Sequence, residues 1–312
     1  MKVLFVCSGN KNDGPSDVVK NQYESLVNIG IQVDIYTIRG KGVLGYLKNI
    51  RPLRNKLKKE NYDLIHAHYS LSGIIASLAE AKPLIVSLMG SDAHIKGWLK
   101  KITLKFQKKW DVTILKSKDM QEHLQLESFN ILPNGVDTKR FCPIPKNEAR
   151  NQLNLDLENK LLVFIANPNR EEKNFKLAQD AMNLVKTNNV KLIPVYNTPN
   201  EKIPLYLNAA DMLVLSSKYE GSVNVVKEAM ACNTPIVSTN VGDVQKNISG
   251  LQSCLISDNN PVDFAAKIDE VLLLEHRSNG RDRIFELQLD SVSVANKLKE
   301  IYKNSSERSS HY

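Results

Sequence analysis

The feature that most constrains this chain is a rhythm. Short runs of Val, Ile and Leu, each closed by a turn, alternate with longer amphipathic stretches. The rhythm halts at a proline-rich segment and then starts again. In the first half, 3–7, 32–38, 64–68, 84–88, 112–115 and 129–132 read as strands, with helices over 17–29, 43–59, 72–79 and 93–110. Strands that are apolar on both faces and joined through helices specify a parallel sheet covered on both sides. Pro133-Asn134-Gly135 and Cys142-Pro143-Ile144-Pro145 form a stiff, irregular connection, because proline fixes φ and donates no hydrogen bond. Beyond it, strands are expected at 161–166, 191–196, 212–215, 235–239 and 254–256, and helices at 175–187, 224–232 and 261–274. A further helix over 284–303 precedes a frayed polar tail at 304–312. The expected fold class is therefore α/β, with two doubly wound, Rossmann-like parallel-sheet domains facing a central cleft. These are 1–142 and 143–283, followed by 284–312. Ligands of such sheets bind at the carboxyl ends of the strands.

Composition closes off other classes. At 312 residues with 42% hydrophobic and 24% charged residues, the chain is neither disordered nor a disulfide scaffold. No apolar run approaches the roughly 18–20 residues of a membrane span, and the start lacks the long apolar core of a signal peptide. Cys7, Cys142, Cys232 and Cys254 are scattered without zinc or redox spacing, which suits buried thiols in a reducing cytoplasm.

The net charge of +8 is concentrated. Residues 1–140 hold 22 Lys and Arg against 13 Asp and Glu, whereas 141–312 hold 20 against 21. Residues 39–59 contain eight basic side chains and no acid, and 93–110 contain six lysines interleaved with Leu99, Ile102, Leu104, Phe106 and Trp110. A solvated helix face and a docking surface for anionic lipid both fit this pattern. A nucleic-acid interface is a third reading, but it lacks any accompanying aromatic or zinc motif.

Four segments carry candidate chemistry. After the first strand, Gly9 and Gly14 have the spacing of a phosphate-binding loop, yet Pro15 occupies the lysine position, which rules out that NTPase motif. A flexible glycine loop remains, with Ser16 or Asp17 capping the next helix. His66 and His68 lie on one side of the third strand, either as satisfied structural residues or with a role for His68 at its end. Gly90-Ser91-Asp92 either puts a carboxylate at the cleft or caps the following helix. The richest is Glu220-Gly221-Ser222-Val223-Asn224-Val225-Val226-Lys227-Glu228, which opens a helix after an apolar strand. A helix N-terminus exposes free N–H groups and positive partial charge to a phosphate, with Ser222 as a natural N-cap. Glu220 and Glu228 can bracket a ligand's hydroxyls.

The segment from Glu220 to Glu228 resembles the E-x7-E motif of retaining GT-B glycosyltransferases, glycosyltransferase family 4. Other pieces resemble the same family in the same order: Gly14, 63–68 with Ser72-Gly73, Gly90-Ser91-Asp92, Pro133-Asn134-Gly135-Val136-Asp137, and Pro235-Ile236-Val237-Ser238 with Val241-Gly242. The likeness spans about residues 1–275. It implies a nucleoside-diphosphate sugar as donor, with Glu228 on the ribose, Glu220 on the sugar, and Asn224 with the Val225 and Val226 amides at the pyrophosphate. Gly14, Asn134, Gly221, Ser222 and Val223 complete the implied donor site. Lys173 matches the family's phosphate-gripping lysine, while Arg170 stands three positions before it rather than four or five. His68 and Asp92 are the implied acceptor side, and Asp92 with Lys173, Arg170 and Glu220 makes up the implied catalytic set. Met89 departs from the family's histidine at its position, and Ser222 and Asn233 stand where proline and glycine are usual. The resemblance further implies a C-terminal helix that crosses back to the first domain.

The expected activity is hexosyl transfer with retained configuration, without metal or other cofactor, to a saccharide or lipid-linked acceptor in bacterial cell-surface polysaccharide synthesis. The expected location is cytoplasmic and peripheral to the inner membrane face through 39–59 and 93–110, with no nucleic-acid partner. A GT-B nucleotide-sugar epimerase is the alternative, although no dedicated acid/base set for it is evident.

Overall fold

Val3, Leu4, Phe5 and Val6 are all fully buried, which requires cover on both faces of their strand. The computed structural model describes residues 1–10, 14–90, 92 and 97–309. The chain forms two α/β units, Met1–Gly135 with Ser291–Tyr312, and Val136–Asp290. The junctions thus fall at 135/136 and 290/291, against 142/143 and 283/284 in the sequence reading.

In chain order the first unit holds β1 (Lys2–Ser8), α1 (Asp17–Asn28), β2 (Gln32–Ile38), α2 (Gly42–Leu47), α3 (Ile50–Lys59), β3 (Leu64–His68), α4 (Ser70–Leu78), β4 (Leu84–Ser87), α5 (Gly97–Gln107), β5 (Val112–Leu115), α6 (Lys118–Leu124) and β6 (Asn130–Ile131). The second holds α7 (Lys146–Gln152), β7 (Lys160–Phe164), α8 (Phe175–Met182), β8 (Val190–Pro194), α9 (Ile203–Ala209), β9 (Met212–Leu215), α10 (Asn224–Ala231), β10 (Ile236–Thr239), α11 (Val244–Ile248), β11 (Cys254–Ser257), α12 (Pro261–Leu274) and α13 (Gly280–Glu286). The chain then returns to the first unit as α14 (Ser291–Ser309).

Both sheets are parallel and share one plan. The first runs β2-β1-β3-β4-β5-β6, the second β8-β7-β9-β10-β11. Val3 faces Val33 on one side and Leu64 on the other. In each unit the order reverses beside the first strand, so a crevice opens between the carboxyl ends of β1 and β3, and of β7 and β9. One face of the first sheet is closed by α1 and α14, where Val294, Ala295, Leu298 and Tyr302 pack with Val3 and Phe5.

Several expected elements differ. The single helix over 43–59 is two, α2 and α3. Pro52 has no N–H for the Lys48 carbonyl, and Asn49 fills the break by donating to Gly45 O (2.7 Å) and Arg39 O (2.9 Å). The helix over 175–187 ends at Met182, because the amides of Lys186 and Thr187 bind Asp269 of α12 instead. The helix over 284–303 is interrupted between α13 and α14. Gln288 there adopts φ 53°, and the Leu289 amide closes on Ile284 O in a left-handed C-terminal turn. The frayed tail is helical as far as Ser309, and 310–312 lie outside the described residues. Lys11–Asp13, Ser91 and 93–96, which include parts of the glycine loop, the Gly-Ser-Asp turn and the lysine-rich stretch, also lie outside them.

Candidate functional site

In the second unit the loops following β7 and β9 meet at the crevice. After β7 the chain makes a tight turn at Glu171–Lys173 and passes through Asn174, which is left-handed at φ 51°. Ser216, just past β9, is fully buried and donates to the carbonyls of Lys173 (3.1 Å) and Asn174 (2.9 Å), and the Lys218 amide donates to Glu172 O. These bonds fix the Lys173 ammonium onto Glu220 Oε1, which also accepts from Ser217 Oγ at 2.8 Å. Both side chains retain a little exposure, 15% and 17%. Arg170 behaves differently. It is 56% exposed and pairs with Glu172, two residues along.

Beyond Glu220 the chain enters α10. Ser222 was expected as its N-cap, but the cap position is Val223, which has no capping side chain. The Ser222 hydroxyl is instead held by Asp243, donating to Oδ2 at 2.7 Å, and it accepts from Lys227 Nζ at 2.9 Å. The Val223 amide is occupied as well, donating to Asp243 Oδ1 at 3.1 Å. The amides that follow, at Asn224, Val225 and Val226, form the helix's first turn, where N–H groups have no carbonyl partner within the helix. Gly242 supports this loop from behind. Its φ is +57°, and a Cβ there would lie 2.5 Å from Gly221 O, so only glycine fits. Glu220, Asn224, Val225 and Glu228 are half-buried, and Gly221, Val223 and Val226 are buried. Lys173, Glu220, Ser222 and the α10 start therefore converge in one unit, with Arg170 at their margin.

The first unit's residues gather at the equivalent crevice but have different character. His68 is 1% exposed, with Nε2 2.7 Å from Gln22 Oε1 of α1 and Nδ1 unpartnered. His66, stacked on it at 4.4 Å, bonds Tyr302 OH of α14 (2.6 Å) through Nδ1 and Ser87 Oγ (2.8 Å) through Nε2. Burial, with help from the charge of buried Lys116, drives His68 down to about 3 and His66 well below its ordinary value, so both rings are neutral.

Asp92 is also buried, at 4% exposure. Its Oδ1 accepts from the Ser70 amide (3.0 Å) and hydroxyl (2.8 Å), and Oδ2 from the Met89 amide (2.7 Å). It caps α4, the preceding helix in the chain, while 93–96, ahead of α5, lie outside the described residues. Tyr69, between β3 and α4, is held at φ 73°, a conformation a non-glycine residue adopts only under such constraint. Burial raises the Asp92 carboxyl above its usual range.

Gly14 precedes α1, whose N-cap is Ser16. The Ser16 hydroxyl makes no cap bond and is buried without a partner. Asn134 lies in the first unit, beside Asn21 and Gln22 of α1 and Ser291 of α14. Among the described residues no group of three or more His, Cys, Asp or Glu side chains is placed to hold a metal ion, and no helix is long and apolar enough to cross a membrane.

Sequence reading missed Asp243, Lys227, Gln22 and Tyr302. Of these only Asp243 left a trace, a carboxylate directly after the Val241-Gly242 turn. Lys227 lies inside the Glu220–Glu228 segment, but nothing local marks a lysine there as buried; Gln22 and Tyr302 are joined to the site by tertiary contacts that spacing does not encode.

Comparison with known proteins gives a consistent result. Residues 2–140 match the family described as Glycosyltransferase Family 4, and 195–273 match Glycosyl transferases group 1. The putative teichuronic acid biosynthesis glycosyltransferase TuaC of Bacillus subtilis is 27% identical, over 94% of this chain and 86% of its own. An Escherichia coli UDP-Gal:alpha-D-GlcNAc-diphosphoundecaprenol alpha-1,3-galactosyltransferase is 25% identical over 62% of each chain. The fold is similar to that of sucrose-phosphate synthase from Thermosynechococcus elongatus (TM-score 0.81, 18% identity, 97% and 99% of the two chains). It is also similar to Anabaena HepE in complex with UDP-glucose (TM-score 0.76, 17% identity, 97% and 100%).

Proposed function

Because this chain belongs to the family-4 glycosyltransferases of the GT-B fold, we propose that it transfers a sugar from a nucleoside-diphosphate sugar to an acceptor hydroxyl with retained configuration. The acceptor is a lipid-linked saccharide, and the setting is bacterial surface polysaccharide synthesis at the cytoplasmic face of the membrane. The name of the diphosphoundecaprenol galactosyltransferase supports that acceptor class, and the teichuronic acid biosynthesis in the name of TuaC supports the setting. The UDP-glucose complex of the HepE fold supports the donor class.

The observation that carries the reading is the meeting of Lys173 with Glu220 beside an α-helix start that has no side-chain cap. In the reaction the bond between the anomeric carbon and the diphosphate oxygen breaks, and its electron pair leaves on the diphosphate. The acceptor oxygen bonds to the same carbon from the same face, and its proton passes to the departing phosphate. No protein nucleophile or metal enters this scheme. The residues' task is to stabilise the leaving charge: Lys173 through its ammonium, and the Val225 and Val226 amides through the helix terminus. Glu228 takes the ribose hydroxyls and Glu220 those of the sugar, the latter exchanging its bond to Lys173 for the donor. Arg170, already paired with Glu172, contributes at the margin. His68 and Asp92 shape the acceptor side by holding β3 and the Tyr69 turn, with Gly14 and Asn134 flanking the donor.

The test is a thermal-shift panel of UDP, GDP and their sugars, followed by measurement of free nucleotide with and without acceptor. Stabilisation by one nucleoside diphosphate, with acceptor-dependent release, is expected. Interconversion of nucleotide sugars without acceptor would favour the epimerase instead.

The first unit is proposed to touch the membrane. Arg39, Lys41 and Lys48 flanking α2, and Arg51, Lys58 and Lys59 of α3, are exposed, as are Val43 and Leu44 of α2 at 60% and 75%, and Trp98 of α5 is 60% exposed on a helix that carries further lysines. Sedimentation with anionic vesicles, but not with neutral ones, is the expected result; equal behaviour with both removes this part.

A further inference from the structure

Asp243 occupies the N-cap position of α11 yet gives that helix no side-chain bond. An aspartate in that place ordinarily caps its own helix. Here the carboxylate reaches across to the start of α10, taking the Val223 amide and the Ser222 hydroxyl. The arrangement ties the Glu220–Val223 loop to the turn that Gly242 presses against Gly221. It also has an electrostatic cost. A negative charge now sits at the helix terminus where the proposed donor's diphosphate must lie, and the two anions repel.

Lys227 is the answering charge. It is 1% exposed on the first turns of α10 and donates to the same Ser222 hydroxyl; burial pulls its ammonium below the ordinary lysine range, and the charges of Asp243 and Glu228 act against that pull to hold the proton. A lysine is rarely buried so deeply unless it balances a buried anion.

Building on the donor reading above, we propose that Lys227 is a positioning residue that neutralises Asp243. It allows one carboxylate to clamp the donor loop while leaving the α10 terminus attractive to a diphosphate. Asp243 supplies the shape and Lys227 removes its charge. Ser222 is the hydroxyl through which the two communicate.

Two single variants should move diphosphate affinity in opposite directions, which a purely structural role cannot do. Binding is measured with UDP or GDP, whichever the unaltered protein binds, and with the parent nucleoside. Lys227→Met keeps the volume and removes the cation, and it should weaken the diphosphate by roughly tenfold with less than about twofold change for the nucleoside, in line with charges at helix ends. Asp243→Asn keeps an acceptor for Val223 and should strengthen the diphosphate. The double variant should return to within about threefold of the starting affinity. Melting curves identify any variant that fails to fold, and the opposite-signed Asp243→Asn result then decides. If both single variants weaken diphosphate and nucleoside alike, the charge role is wrong while the donor reading stands. If the unaltered protein binds neither diphosphate, the donor reading fails and this inference fails with it.

Discussion

The two units repeat one sheet plan, and each gathers residues at the same topological crevice, but they fill it in opposite ways. The second unit keeps charge there: Lys173 against Glu220, partly open, next to a helix start without a cap. The first unit places two neutral histidines in that position, packed against Phe5, with Gln22, Ser87 and Tyr302 filling hydrogen bonds. Its one carboxylate there, Asp92, is consumed by Ser70 and Met89. Identical topology therefore does not assign identical work. A crevice whose charged pair stays partly open suits a charged ligand, whereas one whose rings are neutral and buried suits the holding of a shape.

This contrast predicts that the two crevices respond to different measurements. The largest effect belongs to the second unit. Lys173→Ala should lower turnover by roughly 10²–10³-fold, as loss of an electrostatic donor does, with the melting temperature nearly unchanged. Full activity in steady-state assays would erase the distinction between the crevices.

The next effect belongs to the first unit and appears in stability. His66 and His68 stay neutral in the fold because their pKa values are depressed, His68 to about 3. The unfolded chain takes up protons below the ordinary 6.5, so the stabilising contribution is complete above that pH and is lost as pH falls towards the folded values. Between pH 7 and 5 His68 should cost about 2 kcal/mol, and His66 adds to the loss in the same direction. Chemical denaturation across that range measures the slope, and a His68→Gln variant should make it shallower by the His68 part.

The smallest effect is Tyr302→Phe. Removing the hydroxyl leaves His66 Nδ1 buried without its partner and should cost about 1–2 kcal/mol. Diphosphate affinity should not change. A loss of binding without a loss of stability would show that the shape-holding cluster communicates with the donor residues.

Much of this was legible in the sequence where local chemistry decides. Strands at 32–38, 64–68, 112–115 and 212–215 coincide with β2, β3, β5 and β9, since short segments rich in apolar and β-branched residues between turns leave a chain few alternatives. Glu220 and Glu228 stand out in the sequence because a glycine turn before a helix is a local signature, and the structure does place that turn directly ahead of α10. Lys173 came from its place in the family pattern, and the structure pairs it with Glu220. What local pattern could not supply was direction. Ser222 looks like a cap until a carboxylate 21 residues away claims its hydroxyl. Asp92 looks free to face a cleft until the start of α4, 22 residues earlier, takes both the reach and the charge of Oδ1. The break at Pro52 was readable in principle, but the strong 43–59 amphipathic pattern outweighed a single proline.

The path of the chain through the two units has a consequence for biosynthesis. The second unit is spliced whole into the first, between residues 135 and 291. A ribosome therefore delivers a complete second unit while the first still lacks α14. Until Tyr302 emerges, the nascent first unit has an open flank over Val3 and Phe5 and an unlatched His66. Aggregation of arrested chains should thus depend on whether synthesis stops before or after that helix, making α14 the checkpoint for the sheet made ahead of it.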